Sequence, residues 1–347
     1  MRKVDVLRSC LFSCIYAATT LSGCAGTSGT SGEDLSSAVH LVTAYDYQLL
    51  DSSHRAVSLD LLIASLSSAD VVFIGEYHGN QASHLLEARV LAGLHRNNHQ
   101  MNNSRRATLL SMEMFARDQQ GILDRYVAGT VGERYLVDEA PAWKNYTGSY
   151  RPLVEYAKRN GIPVIAANAP GDLVRCIGRQ GDDYLHKLDD EEKGYIAQQP
   201  FADIAGYDER FYRLMGGAEE VPGEHQRQAY LAQITRDNTM AESIDRALAQ
   251  FPGGQVIHVN GSFHSEGHLG TAGALQRMNP ELTIRVITPL HPDELLASEQ
   301  ARAAGKRGDD FYYLLNPLPQ EFVDGDYIAK VRKAMFATSR EKAKLCK

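Results

Sequence analysis

The chain has 347 residues, is 44% hydrophobic and carries a formal net charge of −7, which provides enough apolar material for one large globular domain. Residues 1–23 hold Arg2, Lys3, Arg8 and Asp5, net +2, so the remainder stands at −9; an acidic body without a basic tract argues against nucleic acid as a partner. After Leu21 no apolar run approaches the ~20 residues of a transmembrane helix.

The first segment reads as an export signal. Arg2, Lys3 and Arg8 make a short cationic region, and residues 11–21 follow as an apolar stretch too short to span a bilayer. It ends in Leu21-Ser22-Gly23-Cys24, which resembles the lipobox of bacterial lipoproteins, where small residues precede a cysteine that is diacylated. Cys24 is therefore the expected lipidation site and the start of the mature chain, with 1–23 as signal peptide. Several acyl chains on one residue give lasting attachment where a single chain gives marginal binding. Ala25 is not the aspartate that favours inner-membrane retention, so the expected address is the cell envelope, at the outer membrane. Residues 24–40, rich in Gly, Ser and Thr, read as a flexible tether. Cys10 and Cys14 leave with the signal, so only Cys176 and Cys346 remain. One disulfide is possible, and no cysteine-based zinc or iron–sulfur site can be built.

The domain is expected over 41–300. Five short apolar runs, at 71–75, 108–112, 163–167, 255–259 and 284–288, read as buried parallel strands. Helical spacing recurs between them: Leu85, Leu86, Val90, Leu91 and Leu94 within 82–95, then 119–127, then 150–160, which Gly161 and Pro163 stop. Such alternation implies α/β architecture, a central, mostly parallel sheet with helices on both faces. Residues 171–251 are polar, helical in pattern and rich in tyrosine, and read as a helical cap inserted between two strands. Residues 301–347 read as a C-terminal extension, with a basic helix at 329–344.

In an open α/β sheet, ligands bind outside the carboxyl ends of the strands. Polar residues gather there. The first run ends in Gly75-Glu76-Tyr77-His78 and the fourth leads into Gly261-Ser262-Phe263-His264, two Gly-x-x-His turns at equivalent places. Glycine permits a tight turn, and the histidine three residues on then faces the crevice. The second run leads into Glu113 and the third into Asn168, while His84 and Glu87 share one face of the following helix at i, i+3. Imidazole with carboxylate suits a divalent metal ion or an acid/base pair. The pocket or metal candidates are Glu76, His78, His84, Glu113, Asn168 and His264. For Asn168 and Glu87, capping of a neighbouring helix is the stronger reading. His258, inside a strand, reads as a hydrogen-bonded core residue; His40, His54, His95, His99 and His291 read as surface residues.

Several segments in fixed order then resemble the ChaN-type haem-binding lipoproteins of the Tiki superfamily. They are residues 71–78 with His84, Ser111-Met112-Glu113-Met114-Phe115 with Asp118 and Gln119, Trp143 with Tyr150-Arg151-Pro152-Leu153, residues 161–168, Gln233 with Asp237, Met240 and Ala241, and Asn260-Gly261-Ser262-Phe263-His264. The resemblance implies a fold shared with ChaN proteins and erythromycin esterases. It also implies haem as cofactor, bound between two protomers of a homodimer with a tyrosine as axial ligand, and a role in haem or iron uptake alongside an outer-membrane haem receptor system. Tyrosinate is a hard anionic donor suited to ferric iron. No motif assigns the tyrosine. Tyr207 and Tyr212 are the candidates because they fall in the cap, with Tyr184, Tyr195 and Tyr230 as competitors.

The same superfamily contains enzymes, so the resemblance also leaves open a metal-dependent hydrolase, protease-like or esterase-like, working through His78, Glu113 and His264.

Overall fold

The computed structural model describes residues 41–100, 106–140, 143–215, 222–295 and 310–346. Cys24 and the tether lie outside these residues. The described residues belong to one compact unit, His40–Lys347.

Seven strands form one sheet: β1 Tyr47–Leu50, β2 Val71–Glu76, β3 Thr108–Ala116, β4 Val164–Asn168, β5 Gln255–Gly261, β6 Ile284–Leu290 and β7 Phe311–Leu315. Their order is β1-β7-β6-β2-β5-β3-β4. Only β1 runs antiparallel to its neighbour, pairing Tyr47 with Leu315; every other pairing is parallel. The five expected runs are β2 to β6. The expected extension after residue 300 needs correction, because β7 lies inside the sheet between β6 and β1.

Twelve α-helices accompany the strands among the described residues: α1 Leu59–Leu66, α2 Gln81–Gln100, α3 Gln120–Val127, α4 Glu133–Glu139, α5 Tyr146–Ser149, α6 Arg151–Asn160, α7 Gly171–Gln180, α8 Asp190–Gly194, α9 Tyr207–Leu214, α10 Glu224–Gln250, α11 Gly270–Met278 and α12 Gly325–Ala343. Local chemistry sets several ends. The Asn80 side chain accepts from Ala82 N and starts α2, and the Ser58 side chain accepts from Leu61 N at α1. Gly161, at φ 64°, closes α6 in the left-handed region.

Period-two alternation divides the core between the two faces of the sheet. Val72 and Ile74 of β2 pack with Leu86, Val90 and Leu94 of α2 and Leu153 of α6. Val71 and Phe73 pack on the other face with Ile234 and Ile244 of α10 and Leu275 of α11. The helical segment at 171–251 is therefore more than a cap. Its longest helix, α10, is one of the layers covering the sheet, as the hydrogen bond from Ser243 Oγ to Ala167 O in β4 shows.

The two remaining cysteines are joined: Cys176 in α7 bonds Cys346 just beyond α12, with Cα atoms 5.5 Å apart. α12 itself is largely exposed. The bridge closes a loop of 170 residues, and crosslinks of this kind are worth about 2–5 kcal/mol. Cys346→Ser is expected to lose that much in urea unfolding. The wild-type chain should match the variant once reductant is added; no difference between them without reductant would disprove the contribution.

Candidate functional site

The two Gly-x-x-His turns interlock at the carboxyl ends of β2 and β5. A Cβ at Gly75 would lie 3.1 Å from Ser262 Cα, and one at Gly261 would lie 2.7 Å from His78 Nε2. Each glycine thus admits the other turn, a closer role than freeing its own backbone. The two histidines nevertheless bond different carboxylates, although the charges of Glu113 and His264 are felt at His78.

His78 joins Glu76, His84 and Glu87. Its Nδ1 lies 2.5 Å from Glu76 Oε1, which also accepts from Tyr150 OH at 2.6 Å. His84 Nδ1 sits 3.1 Å from Glu76 Oε2 and 3.2 Å from Glu87 Oε2. Burial would raise the Glu76 carboxyl, but hydrogen bonds from His78 and His84 outweigh it and hold the group well below the usual range. Burial disfavours the His84 imidazolium, yet the flanking Glu76 and Glu87 push it up to about 10. Burial and the Glu76 charge raise the Glu87 carboxyl well above its ordinary value, against the opposing pull of His84. The His78 ring is half-exposed and stacks edge-on against Trp143, centroids 4.8 Å apart.

His264 joins Glu113 and Asp237. Glu113 lies in β3 rather than at its end, because β3 continues to Ala116 through a register shift after Met112. The Glu113 carboxylate accepts from Gly261 N at 2.7 Å and faces His264 Nε2 at 3.5 Å. His264 Nδ1 bonds Asp237 Oδ1 at 2.7 Å. Asp237 also accepts from Thr271 Oγ1 and from Tyr207 OH, both at 2.8 Å. Burial opposes the charge on His264, but Asp237 and Glu113 drive it up to about 10. Burial likewise opposes ionisation of Glu113, and His264 brings it down to about 2. The result is a carboxylate beside an imidazolium whose far nitrogen is fixed by a second carboxylate, an arrangement that holds or moves a proton at Nε2.

A cleft of about 600 Å³ opens over this second cluster, lined by Glu113, His264, Trp143, Asn168, Gln233 and Arg236 among others. Asn168 donates to Glu113 O at 3.1 Å and accepts from Ala169 N, so it ties the end of β4 to β3 and does not cap α7, which starts after Pro170 without a side-chain cap. Arg236 brings a cation to the cleft; burial lowers its guanidinium while Glu113 and Asp237 favour its charged form.

His258 is a core residue as expected, bonded to Ser111 Oγ at 2.8 Å and brought down to about 3 by burial. His54 and His95 are buried, against expectation. Tyr207 is fully buried, its hydroxyl donated to Asp237 and accepting from Gln233 at 3.1 Å; burial and the Asp237 charge raise its phenol. It does not present a free oxygen. Tyr212 is half-buried and lines a different cavity of about 510 Å³ with Phe201, Arg227 and Tyr230. Of the competitors, Tyr184 is buried, while Tyr195 is half-exposed and bonds Glu191.

A family model described as haem-binding uptake, Tiki superfamily, ChaN matches residues 62–275, more than half of the chain. The chain belongs to the ChaN family of the Tiki superfamily. The ChaN match spans both Gly-x-x-His turns, Glu113 and Asp237, and stops short of β6, β7 and α12. The ChaN of Campylobacter jejuni, solved with cofacially bound haem, has the same fold: TM-score 0.54 at 16% identity, covering 78% of this chain and 98% of that one. An erythromycin esterase in its open conformation superposes at TM-score 0.37 and 14% identity, over 71% of this chain and 77% of its own. The protein RETICULATA-RELATED 5 of Arabidopsis thaliana chloroplasts is 25% identical over 284 residues, 78% of this chain; the chain spans about 37% of the length of that relative.

Sequence reasoning missed Asp237 as a site residue, and with it Arg236 and Gln233. The available signal was the pair Gln233 and Asp237 at i, i+4 within a helix whose neighbours Ile234, Met240, Ala241 and Ile244 are apolar and buried.

Proposed function

We propose that this chain is a haem-binding lipoprotein of the bacterial cell envelope, anchored through Cys24 and contributing to haem or iron uptake. The observation that carries the reading is the family match over residues 62–275. By analogy with the cofacial arrangement in the Campylobacter jejuni ChaN, two copies of this chain bring their haems face to face. We choose Tyr212 over Tyr207 as axial ligand. Tyr212 opens onto a cavity, and Arg227 in its lining is a cation for a propionate. Tyr207 is already spent on Asp237. An outer-membrane haem receptor system is the partner this role calls for.

Ferric haem added to the purified chain is expected to give a tyrosinate-type spectrum and to shift monomer to dimer in light scattering. Tyr212→Phe should abolish that spectrum while Tyr207→Phe retains it. No Soret change at micromolar haem sinks the haem reading; an unchanged spectrum in Tyr212→Phe sinks only the ligand choice.

One observation favours a second reading. Glu113, His264 and Asp237 form an oriented acid/base chain at the floor of the cleft, as a hydrolase requires. Ester or peptide hydrolysis by the wild-type chain, lost in His264→Gln, would establish it.

A further inference from the structure

The expected metal set, His78 with Glu113 and His264, is divided between the two clusters. A different set is assembled behind it. We propose that Glu76, His84 and Glu87 form a binding site for one divalent transition-metal ion. Among the described residues they are the only group of three or more His, Cys, Asp or Glu side chains whose ligand atoms all lie within 4.8 Å of one another. The group is enclosed: the side chains of Glu76 and Glu87 have no exposure and that of His84 only 6%.

Three features point to an ion. Two carboxylates are buried side by side with a single imidazole between them, an arrangement that is costly unless a cation or a held proton offsets it. Glu87 Oε1 is enclosed without any hydrogen-bond partner, although buried polar atoms are nearly always satisfied. The donor spacing also fits. Donors held at about 2.0–2.2 Å from one ion lie roughly 3.0–3.5 Å apart, and His84 Nδ1 stands 3.1 Å from Glu76 Oε2 and 3.2 Å from Glu87 Oε2.

The sequence builds the site economically. His84 and Glu87, at i, i+3, project from the first turns of α2, and Glu76 ends β2, the strand that precedes it. Tyr150 OH and His78 Nδ1 both bond Glu76 Oε1, leaving Oε2 for the ion; such outer contacts orient a ligating carboxylate. One imidazole and two carboxylates suit zinc, ferrous iron or manganese better than calcium or magnesium. A ligating imidazole nitrogen and carboxylate must be free of their protons, so binding is coupled to proton release. The site rests on β2 and α2 and does not depend on the haem reading.

The test uses the purified chain stripped with chelator and titrated with Zn²⁺ by calorimetry in two buffers of different ionisation heat. The expected result is one equivalent bound at micromolar affinity or tighter, with proton release. Glu87→Gln and His84→Ala should each weaken binding at least tenfold, while His99→Ala, which removes the exposed histidine stacked on His95, should leave it unchanged. X-ray absorption of the zinc-loaded wild type should show one imidazole among oxygen donors, a readout that survives if a variant fails to fold. Failure to retain zinc after dialysis, unchanged affinity in both variants, or an absorption spectrum with two or more imidazoles would overturn the proposal.

Discussion

Asp237→Ala is expected to destabilise the chain by about 3–5 kcal/mol, the range for removing one partner of a buried, hydrogen-bonded charge pair. Asp237 is fully buried, and its two oxygens accept from His264 Nδ1, Thr271 Oγ1 and Tyr207 OH. Truncation leaves an imidazolium with its main counter-charge gone and two hydroxyl donors without their acceptor. The backbone also packs closely against this carboxylate. Gly270 has φ +55°, and a Cβ there would already lie 2.9 Å from Asp237 Oδ1 and 2.7 Å from His264 O. Because those donors come from α9, α11 and the turn after β5, the loss should appear as a lower midpoint in urea unfolding at an unchanged slope. Asp237→Asn, which keeps the shape and one acceptor oxygen, should cost less than alanine but more than a surface change. A loss below about 1 kcal/mol for the alanine variant would contradict the picture of a shared hub.

How much of this was legible in the sequence differs by element. The strands β2 to β6 announce themselves because they are buried on both faces, so each reads as a continuous apolar run. β1 is only four residues long, with its first two residues half-buried, and β7 pairs with it at the side of the sheet beyond the reach of the βαβ pattern; neither has a signature of its own. The glycine echo located the two histidines correctly, since a backbone approach that only glycine tolerates leaves a trace in the sequence. It could not say which carboxylate each histidine meets. That pairing depends on α10 lying across the sheet and delivering Asp237 to His264, a contact between residues 27 apart. A buried polar residue on a long helix looks like any solvated position until the helix is docked. Glu87 escapes notice for the same reason: its full burial depends on what α2 packs against. The cap tyrosines show the reverse error. Tyr207 was attractive as a polar aromatic in a polar segment, but Phe263 and Tyr230 enclose its ring, and its hydroxyl serves the Asp237 hub.

The charge on His264 leads to a second large effect, one that pH isolates. In the unfolded chain this histidine titrates near 6.5, and in the fold it does so near 10. A group raised on folding contributes its full stabilisation below the unfolded value and loses it as pH climbs to the folded one. The stability difference between the wild type and His264→Gln should therefore be constant just below about pH 6.5, above the range in which Glu113 titrates. It should then shrink by about 1.4 kcal/mol per pH unit towards pH 10, the slope of one proton. Glu113 behaves with the opposite sign. Its carboxyl falls from 4.5 in the unfolded chain to about 2 in the fold, so the advantage of wild type over Glu113→Gln is complete above pH 4.5 and disappears as pH falls through 2. Measuring differences rather than absolute stabilities removes the groups that titrate alike in both chains; Glu113 and His264 are coupled, so each is read only in the pH window where the other does not titrate. If the His264→Gln difference stays flat from pH 6 to 9, the imidazole is neutral in the fold. Asp237 and Glu113 would then face each other without a cation between them, and the acid/base chain at the cleft floor would have to be redrawn.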